Sequence, residues 1–351
     1  MNYTKLGSSE LQVSEVCLGT MTWGCQNTQE DGFAQIEYAL DQGINFIDTA
    51  ELYAVPPTAD TYGATEVIIG NWFAENPNRR EEVVLATKIA GNGLPWIREG
   101  SPISGETVKQ ALDASLKRLQ TDYIDLYQLH WPNRAHPHFA NHWPGDIDYD
   151  AIDVEKEREE HLEILTALDD CVQAGKIRYC GLSDDTPWGV SEYIKLAEQH
   201  DLQRMVSIQN EFNLLHLMTD APHLIETCLL NDVAYLPWSP LAGGALSGKY
   251  RNGALPEGSR WSISQRNGLF RSTPQSLAAI DAYHEVATRH QLSLTQLALA
   301  YVYQFQGVTS TIIGATTIEQ LKEDIDAYKL VLSDDILEDI ADVIKRYPMP
   351  F

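Results

Sequence analysis

Eight short apolar runs, with amphipathic stretches between them, restrict the folds open to this chain more than any other feature. They are EVCLGT (15–20), INFIDTA (44–50), EVVLATK (82–88), YIDLYQLH (123–130), IRYCGLSD (177–184), MVSIQNEF (205–212), VAYLPWSP (233–240) and STIIGA (310–315). Each is the length of a strand and is rich in Val, Ile, Leu or Tyr, as expected of a strand buried on both faces. Helical patterns run from Glu30 to Leu40, Thr107 to Leu119, Leu162 to Val172, Pro187 to Ala197, Thr295 to Phe305 and Thr317 to Tyr328. Gly43 and Gly175 supply stops, and Pro187 sits where a first helical turn tolerates it. Strand–helix units repeated in this way predict an α/β fold, a (β/α)8 TIM barrel, with a doubly wound sheet as the competing architecture. With no composition break, residues 1–351 are expected to form a single domain. Two connections, Trp131 to Asp153 and Leu241 to Pro274, are long enough to be binding loops at the C-terminal face. Asp334 to Tyr347 reads as an added C-terminal helix.

Composition narrows the partners. The net charge is −25 and the sequence pI about 4.6, which disfavours nucleic acid and anionic membranes. No run is long enough to span a bilayer, and MNYTKLGSSELQ lacks a signal peptide's basic-then-apolar order. Five cysteines without a C-x-x-C pair argue against a disulfide framework. The expected location is the cytoplasm. In so acidic a chain, the segment Lys249 to Arg271 stands out: Lys249, Arg251, Arg260, Arg266 and Arg271 face only Glu257. It reads as an anion site rather than chance clustering.

A barrel of this kind gathers its chemistry at the C-terminal ends of its strands. Those ends carry Asp48, with Tyr53 just beyond it, then Lys88, then His130. Singly, each has an ordinary reading: a helix cap, a packing tyrosine, a surface lysine, a hydrogen-bonded histidine. Together they form a unit. A phenol with a pKa near 10 donates its proton poorly at neutral pH. A buried Lys88 ammonium beside Tyr53 is expected to lower that pKa, Asp48 to keep the lysine charged, and His130 to hydrogen-bond a carbonyl oxygen as it gains charge.

This arrangement resembles the aldo-keto reductase superfamily, which uses an Asp–Tyr–Lys–His tetrad. GTMTWG (19–24), INFIDTAELY (44–53), ATK (86–88), DYIDLYQLHWP (122–132), GKIRYCGLSD (175–184), IQNEFNLL (208–215), WSPLAGGALSGKY (238–250) and IIGATTIEQL (312–321) match its pattern in order. The AVPPTADTYGATE insert (54–66) and the loop after HWP are similar to the bacterial Tas-type branch, related to potassium-channel β subunits. The resemblance implies Tyr53 as proton donor and a nicotinamide cofactor across the barrel mouth. Ser183, Asp184 and Gln209 then meet the carboxamide, and Trp238 stacks on the nicotinamide. Ser239, Pro240, Leu241, Gly243, Lys249 and Arg260 follow the pyrophosphate and adenosine end, while Gly314, Thr316, Gln320, Glu323 and Asp324 surround the adenosine. Asp184 departs from the family's usual asparagine. Gln320 and Asp324 stand where many members have arginine and asparagine, and Gly314 where some have lysine. With Lys249 and Arg260 retained, the expected cofactor is NADP(H), with NAD(H) as the alternative.

Other readings fit less well. No G-x-G-x-x-G opens a helix: Gly91 and Gly93 lack a third glycine, and Gly243, Gly244 and Gly248 are wrongly spaced. No Tyr-x-x-x-Lys marks a short-chain dehydrogenase. His130, His136, His138 and His142 superficially resemble metal ligands, but His136 and His138 lie in a proline-broken loop, so no metal site is assigned. A redox-responsive binding module is the non-enzymatic alternative. The expected partner is a small carbonyl compound, apolar or aromatic if Trp23, Trp96, Trp131 and Trp143 line the mouth.

Overall fold

The structure, a computed structural model, describes residues 1–139, 141–263 and 271–351. Two short antiparallel strands come first, β1 (Tyr3–Lys5) and β2 (Gln12–Ser14). Eight parallel strands follow: β3 (Val16–Gly19), β4 (Phe46–Asp48), β5 (Val84–Ile89), β6 (Ile124–Leu129), β7 (Ile177–Ser183), β8 (Met205–Glu211), β9 (Ala234–Trp238) and β10 (Thr311–Ile313). They pair in the order β10-β3-β4-β5-β6-β7-β8-β9. The remaining seam is drawn together by a parallel bridge between Tyr235 and Val308 and by Thr309 N–H donating to Tyr235 O at 2.9 Å. The result is a nearly closed barrel with helices between its strands, as expected of a (β/α)8 TIM barrel.

The helices are α1 (Gln29–Asp41), α2 (Ala64–Glu75), α3 (Gly105–Leu119), α4 (Val154–Gln173), α5 (Pro187–His200), α6 (Leu224–Leu230), α7 (Arg260–Ile263), α8 (Pro274–Arg289), α9 (Leu294–Tyr303), α10 (Ile318–Ala327) and α11 (Asp334–Arg346). Their ends follow local chemistry: Thr28, Ser104 and Ser293 close capping boxes on α1, α3 and α9. α4 begins well before the expected Leu162, because Asp153 caps Glu155 and Lys156 and the acidic run VEKEREE continues the helix as its polar face. α2 escaped the periodicity reading because both sides of it are covered, with Ile68, Ile69, Trp72 and Phe73 all buried. None of the described helices is long and apolar enough to cross a membrane.

Side-chain parity places the site. Along β4, β5 and β6 alternate residues face the axis. Phe46, Ala86 and Leu126 join Cys17, Val206 and Leu236 in an apolar layer inside the barrel. Their strand neighbours Ile47, Leu85 and Tyr127 pack outward under the helices. The β1–β2 hairpin plugs the far end, adding Leu6 and Val13 to the interior layer. Gly7 permits this approach: it has φ +53°, and a Cβ there would sit 2.2 Å from Val206 O. One more step of the same alternation places Asp48, Lys88 and Gln128 together above the apolar layer, at the C-terminal ends of their strands.

Candidate active site

Lys88 is fully buried, and its ammonium is held by three oxygens. Nζ donates to Asp48 Oδ2 at 2.6 Å, to Thr49 O at 2.9 Å and to Tyr53 Oη at 3.4 Å. The other Asp48 oxygen accepts from Gln209 Nε2 at 2.9 Å and Gln128 Nε2 at 3.2 Å. A carboxylate and an ammonium out of water are tolerable only when their remaining hydrogen-bonding capacity is met, and here the barrel floor meets it. The nearby carboxylate and phenol raise the Lys88 pKa, overcoming the opposing effect of burial, so the amine stays charged.

Tyr53 and His130 complete the group. Their rings meet edge to face, with centroids 5.6 Å apart. Burial, helped by the positive charge of Lys88, pushes the His130 pKa well below its ordinary value, so the imidazole is neutral. Among the described residues its Nδ1 has no hydrogen-bond partner. The expected acidification of Tyr53 is not what the protein shows. Lys88 pulls that pKa down, but burial is the larger effect, reinforced by Asp48, and the phenol lies above its usual value of 10. It is therefore protonated.

Relatives of this chain point to one family. Residues 15–345 match the Aldo/keto reductase family profile. Protein tas of Escherichia coli is 42% identical over 353 residues, covering 100% of this chain and 99% of its own. The uncharacterized oxidoreductase YrpG of Bacillus subtilis is 34% identical over 349 residues, 98% of this chain and 96% of its own. A probable voltage-gated potassium channel subunit beta from Arabidopsis thaliana is 29% identical over 358 residues, 99% and 98% of the two chains. The chain belongs to the aldo/keto reductase family. It is an oxidoreductase of that family, whose members generally use NAD(P)H and act on small molecules.

Residues assigned to the cofactor on the family resemblance occupy three places. Ser183, Asp184 and Gln209 lie at the ends of β7 and β8, where Asp184 N–H donates to Gln209 O at 3.0 Å. Trp238, at the end of β9, donates its indole N–H to Asp184 Oδ1 at 3.2 Å. Ser239, buried Pro240, Leu241 and Gly243 continue into the following loop, where Ser239, Gly243 and Gly244 have left-handed backbones. Just before α10, Thr316 N–H and Oγ1 donate to Gln320 Oε1 in its first turn at 2.9 and 3.0 Å. Ser293 donates to Glu323, and Asp324 is buried with its carboxyl pKa pushed well up by burial and Glu323. Gly314 is exposed.

The basic segment divides by use. Arg251 pairs with Asp281 at 2.6 Å and Arg271 with buried Glu211, so these two serve the fold rather than an anion. Arg266 lies outside the described residues. Lys249 and Arg260 differ: among the described residues neither pairs with a carboxylate. Arg260 Nη2 approaches Met21 Sδ at 3.6 Å, and burial and nearby Arg271 pull its pKa down. A half-buried guanidinium without an acid fits an anionic group, and the backbone turn at Gly244 beside Lys249 Cε keeps the approach narrow. The residues present fit the phosphate groups of a nicotinamide dinucleotide.

Of the four expected tryptophans, Trp131 reaches the mouth. It is 5.0 Å from the His130 ring and 6.4 Å from Phe139, which stacks on Trp238 at 6.1 Å. Trp23 is wholly buried and bonded to Gln35, Trp143 is exposed further along the loop, and Trp96 is exposed beside Ile97. Sequence reasoning missed Gln128, although its parity with His130 was a usable signal. It also missed Glu51, inside the INFIDTAELY run. This buried carboxylate grips Arg98 through both oxygens, at 2.7 and 2.9 Å, and accepts from Ala90 N–H at 2.6 Å. It fixes the loop beside Trp131.

The long loop after β6 packs histidines as neutral groups. Burial holds His136 and His142 down to about 4, and buried His138 and His216 are also lowered. Because the folded values lie below 6.5, the unfolded chain binds more protons in this window, and stability drains as pH falls from about 6.5 toward 4. Thermal midpoints measured across that range should fall, and His136→Gln combined with His142→Gln should flatten the decline.

Proposed function

We propose that the protein is an NADP(H)-dependent aldo-keto reductase that reduces an aldehyde or ketone to an alcohol, with Tyr53 as proton donor assisted by Lys88, Asp48 and His130. One observation carries this reading: a single buried ammonium bonded both to Asp48 and to the Tyr53 hydroxyl, at 2.6 and 3.4 Å. When bound, the nicotinamide supplies the hydride. Tyr53 gives its proton to the nascent alkoxide, and Lys88 offsets the charge of the phenolate left behind. Asp48, held by Gln128 and Gln209, fixes the lysine so that little reorganises as charge moves. Neutral His130 can present an N–H to the carbonyl oxygen. The family membership and the oxidoreductase relative support the reaction class. The apolar cluster of Leu52, Ala90 and Ile97, with Tyr53 and Trp131 against it, supports an apolar or aromatic substrate.

Lys249 and Arg260 support NADP(H) over NAD(H), because a further phosphate gives two cations without carboxylates a partner. NADPH should therefore bind more tightly than NADH in fluorescence titration, and Arg260→Ala should shrink the preference. Equal affinities in the unmutated protein would reverse the choice. With a panel of aldehydes and ketones followed by NADPH absorbance, Tyr53→Phe should lose about 10²-fold or more in turnover. The same variant should still show quenching of tryptophan fluorescence by NADPH. Wild-type rates in Tyr53→Phe would remove this tyrosine from the proton-donor role.

A further inference from the structure

Asp184 is a buried acid that the proposed mechanism leaves unused. It is 1% exposed, and among the described residues no lysine or arginine lies within ion-pair distance. Its neighbours are the Trp238 indole N–H at 3.2 Å from Oδ1, Ser183 Oγ at 3.5 Å from Oδ2 and the His138 ring, 3.8 Å from Oδ1. The backbone at φ +50° and the bond from Asp184 N–H to Gln209 O fix the carboxyl against the indole edge. The carboxyl therefore travels with Trp238, the platform assigned to the nicotinamide under the function proposed above.

The charges facing it are already committed. Lys88 from β5 is engaged by Asp48, and Glu211 from β8 by Arg271. Asp220 accepts from Tyr235 of β9 at 2.8 Å, and burial pushes its carboxyl up to about 7, so its own titration is a background that persists in Asp184→Asn. Tyr53 and His138 are neutral. Burial, with Glu211 and Asp220 adding to it, raises the Asp184 pKa well above a carboxyl's ordinary value. Under the function proposed above, two groups in this neighbourhood change charge during turnover: the Tyr53 phenol, bonded to Lys88, and the nicotinamide ring, neutral when reduced and cationic when oxidised.

We propose that Asp184 stays neutral while a reduced nicotinamide lies on Trp238 and ionises when that ring is oxidised, tying the cofactor's redox state to one buried proton. The balance is simple. Hydride passes to the carbonyl carbon and a proton from Tyr53 to its oxygen, and Tyr53 regains a proton from solvent before the next turnover. Separately, the Asp184 O–H proton leaves to solvent and returns when reduced cofactor replaces oxidised. By linkage, rising pH favours the oxidised form over the reduced one.

The test measures dissociation constants of NADP⁺ and NADPH by tryptophan fluorescence from pH 6 to 9. Taking their ratio cancels the titration of the phosphate both forms share. The NADP⁺/NADPH ratio of dissociation constants should fall at least about fivefold as pH rises, and Asp184→Asn should flatten it. A flat ratio in the wild type overturns the proposal, as does an undiminished slope in Asp184→Asn. If that variant does not fold, indicator dye decides with Tyr53→Phe protein, in which no phenol proton can contribute: more protons released by NADP⁺ than by NADPH support the proposal, and equal release overturns it. Trp238→Leu that binds both forms as tightly as wild type would instead remove the platform beneath both readings.

Discussion

The ion pair between Lys88 and Asp48 is the constraint around which the mouth of this barrel is organised. An ammonium with no exposed surface cannot persist without a counter-charge, and a carboxylate beside it cannot persist without donors for its second oxygen. Each requirement recruits another strand: β4 supplies Asp48, β5 Lys88, β6 Gln128 and β8 Gln209. Removing one partner of such a pair typically costs 3–5 kcal/mol, since the other is left charged and alone. The pair is thus better understood as fixing a charge in place than as a source of stability.

That fixed charge gives the tyrosine its character. Burial alone drives a phenol away from ionisation, and the net effect on Tyr53 in the protein is upward. Under the function proposed above, the ammonium becomes most useful at the instant the proton departs, when it faces a phenolate. Such a site would hold its donor protonated at rest and lower the energy of the charged state it passes through. His130 follows the same logic from the opposite side, since burial and the same lysine keep it neutral and able to donate.

Much of this was legible in the sequence because it depends on local rules. Strand runs, their order, and the residues at their ends follow from apolar patterning, and the period of two places Asp48 and Lys88 on one side of the wall. Other features were hidden for physical reasons. The β1–β2 strands are three residues each, too short for a pattern. α2 is apolar on most of its surface, so it shows no polar face. The division of the basic segment into structural arginines and unpaired cations depends on where Asp281 and Glu211 arrive from distant elements. The sign of the Tyr53 shift needs burial and charge weighed together, and sequence supplies only the charge.

In the proposed reaction Lys88 acts through Tyr53 rather than beside it. A double-mutant cycle on kcat/KM, with Lys88→Met and Tyr53→Phe alone and together, tests this most directly. Strong non-additivity is expected, the double variant being scarcely slower than Tyr53→Phe, because the lysine has no phenolate left to stabilise. Losses that multiply independently would contradict it.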